Sequence, residues 1–379
     1  MVERLAPSDE GRELIELVAA YAREQLAPEA GEAEAAERFP RDRVVELGEM
    51  GLFAMPYPEG LGGLGQPYEV YLQALEELAA AWMSVALAVS VHVMSCHPLI
   101  HHGTADQQRR LLPDMLGGRL LGAYALSEPQ AGSDVDAIRL RATRAGPDYL
   151  LDGEKAWVSH GGQADYYVTF ARTSPGRDGL SCFVVKGASA GLRPGVPERK
   201  MGLRASPTTP VHFAQVRVPV GDRIGAEGEG QHLALSALAN GRLGIAACAT
   251  GLAQAALDVA VAYAGERHQF GQPVADFQGI RFLLAEMAAK VAAARATYLH
   301  GARICDAGKD FVVDAAVAKL VATDAAMAVT TDAIQVLGGA GYVRDFPVER
   351  YFREAKVTQI FEGTNQIQRL VIARSLLRR

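Results

Sequence analysis

Cysteine and tryptophan are scarce in this 379-residue chain, with four and two copies respectively. Cys96, Cys182, Cys248 and Cys305 stand far apart and form no CxxC pair. That spacing argues against a zinc ribbon, a redox dithiol and a disulfide framework, and a reducing, cytoplasmic setting is expected. There is no excess of positive charge: 38 Lys+Arg against 44 Asp+Glu leave a net charge of −6. The basic field that nucleic-acid binding draws on is therefore missing, and no nucleic-acid partner is expected. Residues 1–7 lack a basic stretch followed by an apolar run, so no secretory leader is expected. Only seven of the basic residues are lysine (155, 186, 200, 290, 309, 319 and 356), and Asn240 and Asn365 are the two asparagines. A GC-rich genome or a hot habitat produces both biases, and the sequence attaches no function to them.

What the chain does have is apolar residues, 49% of the total against 22% charged, in the ordinary globular range and enough for two or three domains. Residues 78–100 contain no Asp, Glu, Lys or Arg, and about 20 such residues suffice to cross a bilayer. Ser84, Ser90, His92, Ser95, His97 and Pro98 interrupt the run, however, and Glu76 and Glu77 precede it where Lys or Arg would flank a span. A helix buried on most sides within a multi-helix domain is the expectation, with no membrane partner.

The periodicity divides the chain in three. Leu14, Leu17, Val18 and Tyr21, then Val44, Leu47 and Leu52, then Leu72, Leu75 and Leu78 recur at helical spacing, with Ser8 placed as a cap. From about Gly122 the period shortens. Residues 166–171, 181–185 and 211–218 are short, β-branched or aromatic, and Asp152-Gly153 reads as a turn between strands. Helical spacing returns over 233–264, 277–307 and 311–338, after a glycine-rich linker at 221–230. The fold class expected is α+β multidomain: an N-terminal helical domain (1–120), a middle β-barrel-like or β-sandwich domain (121–225) and a C-terminal four-helix bundle (226–379).

Gly60, Gly62 and Gly65 match G-x-G-x-x-G, but Pro56 and Pro58 precede and Pro67 follows, so a surface turn is expected rather than a dinucleotide fingerprint. His97 and His101 lack the glutamate of HExxH and read as a packed helix end; no metal site is expected. The G-x-S-x-G elbow and the Walker A pattern are both absent. More informative is the segment 356–371. Thr364 or Asn365 can cap a helix carrying Ile367, Leu370 and Val371 on one stripe, which leaves Glu362 just outside the helix N-terminus beside apolar Ile360 and Phe361. The helix end favours its charge and an apolar pocket opposes it. If desolvation wins, Glu362 is a usable general base; if not, it is a charge near a helix end. Residues 126–135, LSEPQAGSDV, offer hydroxyls and exposed amides for a polar ring. Trp157 with Ser159 could form a ring wall or, as for most tryptophans, part of a core. Gly338, Gly339 and Gly341 permit close backbone approach or simply end a helix.

Taken together these segments resemble the acyl-CoA dehydrogenase family over nearly the whole chain. Residues 126–135 look like its first signature, 335–341 with 361–366 like its second, and Arg267-His268-Gln269-Phe270-Gly271 like its R-x-x-F-G segment. The resemblance implies an α, β, α subunit that binds FAD, usually as a homotetramer. It implies dehydrogenation of an acyl-CoA to a trans-2-enoyl-CoA, with Glu362 as the base and the β-hydrogen leaving as hydride to the flavin. The carbonyl is then held by the base's own backbone N–H and a flavin hydroxyl, donors that strengthen as enolate charge develops. Tyr124, Leu126, Ser127, Ser133, Trp157, Ser159, Thr364 and Gln366 match positions around the flavin. Arg267, Phe270, Gln278, Gln335 and Gly339 match positions on the FAD pyrophosphate and adenosine, partly from a neighbouring subunit. Ser133, Arg242, Gly363 and Arg374 match positions around the thioester, the pantetheine or the CoA phosphates.

Gln130, Ser159 and Asn365 depart from the residues frequent in the family, each keeping similar size or hydrogen-bonding capacity. Arg242 stands where members with a relocated base carry an acid, which points to Glu362 as the base. Residues 78–100 carry no Arg, which disfavours a dicarboxylic substrate. The function expected is dehydrogenation of a short- to medium-chain acyl-CoA, straight or branched, in fatty acid β-oxidation or branched-chain amino acid catabolism, with an electron-transfer flavoprotein as acceptor. The alternatives are a flavin oxidase or monooxygenase of the same fold, or a non-catalytic flavin- or CoA-binding protein.

Overall fold

The computed structural model describes residues 4–377; Met1, Val2 and Glu3, at the head of the stretch read for a leader, lie outside it. Helix α1 (Asp9–Tyr21) begins where Ser8 is extended and its hydroxyl accepts from the Gly11 N–H at 3.0 Å, as the sequence anticipates. A π-helical turn leads into α2 (Ala27–Ala36), then α3 (Arg41–Glu49). The glycine motif at 60–65 follows as a 3₁₀ turn, Glu59–Leu61, with no strand before it. A Cβ at Gly63 would fall 1.9 Å from the Tyr57 carbonyl oxygen, so these glycines serve a tight turn.

The apolar run forms two helices, α4 (Tyr68–Ala81) and α5 (Met83–His102). Trp82 between them is extended, and its indole N–H donates to Glu34 at 3.0 Å. Glu34 also accepts from the Ser84 hydroxyl and from the backbone N–H groups of Arg204 and Ala205 at 2.6 and 3.1 Å. One carboxylate thereby ties α2, the α4–α5 break and a loop of the middle domain. The apolar window of α5 is wholly buried inside the protein, which accounts for its lack of charge. Helix α6 (Ala105–Leu116) opens on a reciprocal cap between Thr104 and Gln107.

The middle third is one eight-stranded sheet: β1 (Gly122–Ala125), β2 (Arg141–Ala145), β3 (Asp148–Ser159), β4 (Tyr166–Arg172), β5 (Leu180–Lys186), β6 (Leu192–Pro194), β7 (Thr208–Pro219) and β8 (Arg223–Ile224). The order is β6-β7-β3-β2-β4-β5-β8, with β1 parallel beside β4. Its apolar residues, among them Tyr149, Tyr167, Phe183 and Phe213, form a core of their own. Asp152-Gly153 is not the turn expected. It lies inside β3, where the pairing with β7 shifts register between Leu151 and Gly153, and Gly153 has φ +142°. A bulge uses the same permissive backbone as a hairpin, so the dipeptide signal does not separate the two. The linker expected at 221–230 likewise begins within the sheet, because Ile224 pairs with Cys182.

Helix α7 (Gly230–Glu266) is followed by a small hairpin of β9 (His268–Gln269) and β10 (Gln272–Pro273), then α8 (Gln278–Asp306) and α9 (Val312–Leu337). These three long helices pack together, and α10 (Val348–Thr358) and α11 (Asn365–Leu377) lie on α9, separated by residues 359–364. Helices α4 and α5 pack on α7, so the larger core is continuous from the N-terminal to the C-terminal helices. A buried ion pair reinforces this contact: Arg295 of α8 donates to Glu76 of α4 at 3.0 and 2.6 Å.

Between the two cores Lys155 of β3, fully buried, donates to Glu128 at 2.9 Å and to the Leu126 carbonyl at 2.8 Å. Burial lowers its pKa to about 8 even beside that carboxylate. Lys155→Met, which strands Glu128, should destabilise the protein by about 3–5 kcal/mol in denaturant unfolding. Adding Glu128→Gln should recover part of the loss, because a neutral amide strands no charge and its one oxygen still accepts from one of the Arg139 and Leu140 N–H groups, which now bond different oxygens of Glu128.

Candidate active site

Helix α10 ends with the Thr358 hydroxyl bonded back to Ala355, and α11 starts with Thr364 as its cap, accepting from the Ile367 N–H at 3.3 Å. Between them Glu362 and Gly363 both have positive φ, +52° and +90°. A non-glycine residue held there is strained, and such strain gathers at functional sites. The turn points the Glu362 side chain inward to α7. A Cβ added at Gly241 would lie 2.2 Å from Glu362 Oε2 and 2.7 Å from Met94 Sδ of α5, so the carboxylate rests against bare helix backbone. Gly363 is flanked by Arg242, whose guanidinium a Cβ there would approach to 3.8 Å.

The residue is part-exposed, but both carboxylate oxygens are buried and accept no hydrogen bond from the described residues. Burial raises its pKa to about 7, against the pull of Lys319 and Arg242. Of the two outcomes open on the sequence, desolvation has won. Arg242 is buried too, with its Nε unpartnered, and burial lowers its pKa despite Glu362. The Glu362 backbone N–H makes no hydrogen bond among the described residues. A carboxyl poised near neutrality beside a free N–H can remove a proton from carbon and hold the oxygen that takes up the charge.

Tyr124 of β1 brings the sheet to this place: its hydroxyl donates to the Ala234 carbonyl of α7 at 3.1 Å, and it lies within electrostatic reach of Glu362. The following loop is held by Lys155 on the Leu126 carbonyl, by Glu128 on the Arg139 and Leu140 N–H groups, and by the Ala156 N–H on the Ser127 carbonyl at 2.9 Å. That last bond sets Ser127, with Leu126 before it, beside the end of β3, where Trp157 and part-exposed Ser159 sit; Ser133 is exposed further along the same loop. Trp157 is no core residue. It has φ +53°, lies where the β3–β7 pairing shifts register, and is 54% exposed. A flat aromatic presented on strained backbone among open hydroxyls is the donor set a flat polar ring requires, so these residues fit the isoalloxazine of FAD.

The other positions named from the sequence lie elsewhere. Arg267 follows the end of α7, 25 residues beyond Arg242, or about 37 Å along the helix. Phe270, in the hairpin, is 95% exposed with φ +51°, and Gln278 opens α8. Gln335 and Gly339 are exposed at the far end of α9. Within one chain these five cannot join the group around Glu362. Gln366 and Arg374 are exposed on α11, about 12 Å apart along it.

Sequence reasoning missed Lys319, Gly241, Asn240 and Met94. The signal lay in the composition bias that was set aside. Both asparagines stand close to Glu362, Asn240 next to Gly241 and Asn365 at the start of α11, and two of the seven lysines, 155 and 319, are fully buried.

Three family models match the chain: the acyl-CoA dehydrogenase N-terminal domain over residues 8–119, its middle domain over 123–216 and its C-terminal domain over 228–377. An acyl-CoA dehydrogenase of Bacillus subtilis is 43% identical over 95% of this chain and 96% of its own. Butyryl-CoA dehydrogenase from Megasphaera elsdenii superposes with a TM-score of 0.96 at 38% identity, covering all of both chains. A chain from a structure described as the electron transferring flavoprotein of Acidaminococcus fermentans also covers both fully, with a TM-score of 0.97 at 39% identity.

A carboxyl whose folded pKa lies above its unfolded value of 4.5 binds more protons folded than unfolded between about pH 4.5 and 7. The protein therefore gives up stability as pH rises through that window, up to about 3 kcal/mol from this group. Glu362→Gln should remove that dependence: denaturant unfolding should find the variant gaining on the parent between pH 5 and pH 8, with the gain absent at the acid end.

Proposed function

The chain belongs to the acyl-CoA dehydrogenase family, and from its site we propose FAD-dependent α,β-dehydrogenation of short- to medium-chain acyl-CoA thioesters, with an electron-transfer flavoprotein as electron acceptor. The observation that carries this reading is the buried, unpartnered carboxylate of Glu362 at the edge of a left-handed turn. A binding module has no use for a group that costs stability when ionised and accepts nothing. An α-proton of a thioester is a demanding one to remove, and a base whose pKa has been lifted to about 7 is matched to the task near neutral pH.

Glu362 takes the α-proton on a carboxylate oxygen, which protonates without losing any hydrogen bond. Its own N–H stands free to donate to the thioester oxygen as enolate charge develops. FAD, when bound, supplies the acceptor for the hydride leaving the β-carbon. Trp157, Ser127, Ser133 and Ser159 would hold its ring, with Thr364 and Gln366 beside them, and Arg242, Gly363 and Arg374 would hold the thioester end and the CoA. The short end of the acyl range is supported by Met94 and the Glu362 carboxylate both closing on the same bare point of α7 at Gly241, and by the likeness to a butyryl-CoA dehydrogenase. The likeness to a chain from an electron-transferring flavoprotein structure supports the acceptor. Arg267, Phe270 and Gln278 lie too far from Glu362 to serve the same flavin in one chain, which supports a homo-oligomer in which a neighbouring copy supplies them.

Anaerobic mixing of the FAD-loaded protein with butanoyl-, octanoyl- and isobutanoyl-CoA should bleach the oxidised flavin band with at least one of the three. Glu362→Gln should retain FAD and still bind the acyl-CoA while losing at least a thousandfold in reduction rate. Gly241→Ala, whose new methyl must push the carboxylate aside, should fold normally and lose about a hundredfold. Undiminished reduction in Glu362→Gln would refute the base assignment, and fast aerobic turnover by the parent would turn the reading to an oxidase.

A further inference from the structure

Residues 359–365 hold the base in a strained turn, and the bonds that secure this turn come chiefly from one face of α9. Lys319 Nζ donates to the Gly363 carbonyl at 3.0 Å and to Asn365 Oδ1 at 2.8 Å. Thr323, one turn on, accepts from Asn365 Nδ2 at 2.9 Å, and Asp324 accepts from Asn365 Nδ2 at 2.8 Å and from Gln359 Nε2 at 2.6 Å. From α11 Gln368 adds a second donor to the Gly363 carbonyl at 2.8 Å. Lys319 is fully buried among alanines, and neither group it bonds is ionised. A buried ammonium with only neutral partners is costly, and a carboxyl is a better match for it.

We propose that Lys319 is a positioning residue for Glu362: it pins the base-bearing turn to α9 and supplies the buried positive charge that holds Glu362 ready to ionise. This rests on Glu362 being the base. The groups facing Glu362 are Arg242 and Cys248 from α7, Tyr68 and Tyr71 from α4, Tyr124 from β1 and Lys319 from α9. Burial raises the three tyrosines and the cysteine far above neutrality, and an arginine keeps its charge. Burial brings Lys319 down to about 7, so it and Glu362 are the two that change charge between pH 5 and 9, and they titrate as a pair.

The test is the pH dependence of flavin reduction by butanoyl-CoA, measured anaerobically in FAD-loaded variants. Lys319→Gln keeps a donor and removes the charge; it should move the rising limb to higher pH by about one unit, a tenfold loss at pH 6 that fades at pH 9. Lys319→Arg should return the limb toward its original position. A rate lowered equally at every pH, with the limb unmoved, would overturn the proposal and leave Lys319 a structural residue. Should Lys319→Gln fail to fold, Lys319→Met asks the same question, because it removes the charge with an apolar chain of similar length while Gln368 still donates to the Gly363 carbonyl; its limb should rise too, and an unmoved limb overturns the proposal. Failure of the base reading would look different: Glu362→Gln would still reduce flavin, whatever the Lys319 variants do.

Discussion

A carboxylate sealed from water with nothing to donate to it reverts to its protonated form unless positive charge stands close by. Most of the architecture around Glu362 answers that constraint. Arg242 comes from α7 and Lys319 from α9, and each gives up hydration to be there. The long helices must therefore converge closely, and α7 allows it by presenting Gly241, whose missing side chain leaves room for the carboxylate. The continuous core of α4, α5, α7, α8 and α9 sets these positions, with the Glu76–Arg295 pair joining the first helices to the last.

Two buried lysines show how the same residue yields opposite results. Lys155 meets a carboxylate directly, and although burial pushes Glu128 upward, the ammonium and two backbone N–H groups bring its pKa below the ordinary value. The pair is internally satisfied, and its outcome is a rigid loop carrying Leu126 and Ser127. Lys319 meets a carbonyl and an amide instead, so Glu362 stays without a bonded partner and its pKa goes up. Structure and chemistry diverge here on which acceptor the lysine is given, not on how deeply it is buried.

Much of the fold is legible in the sequence because it rests on periodicity. The three long C-terminal helices fall within three residues of where their apolar spacing puts them, and the short β-branched runs become β4, β5 and β7. What misleads are residues whose local meaning has two solutions. Asp152-Gly153 supplies a bulge rather than a turn, and Trp82 splits an apolar run that carries no break signal, because a buried hydrogen bond to Glu34, 48 positions away, rewards the extended backbone. In the site, Glu362 is legible from its neighbours, but the balance between helix end and desolvation is not, since it depends on Lys319 and Arg242 arriving from other helices. Arg267 and Phe270 are legible only through resemblance; nothing in their spacing tells that a 37-residue helix carries them away from Glu362.

The two tryptophans fall at opposite ends of the exposure scale. Trp82 is 1% exposed at the α4–α5 break, bonded to the carboxylate that ties the N-terminal helices to a loop of the middle domain, and Trp157 is 54% exposed near the end of β3. The intrinsic fluorescence of this protein is thus the sum of two separable lamps, one blue-shifted and one red-shifted. The red one dims when a ring stacks on Trp157, whereas the blue one holds until the junction between the helical parts and the sheet comes apart. A single emission spectrum then reports occupancy and integrity at once, without a label.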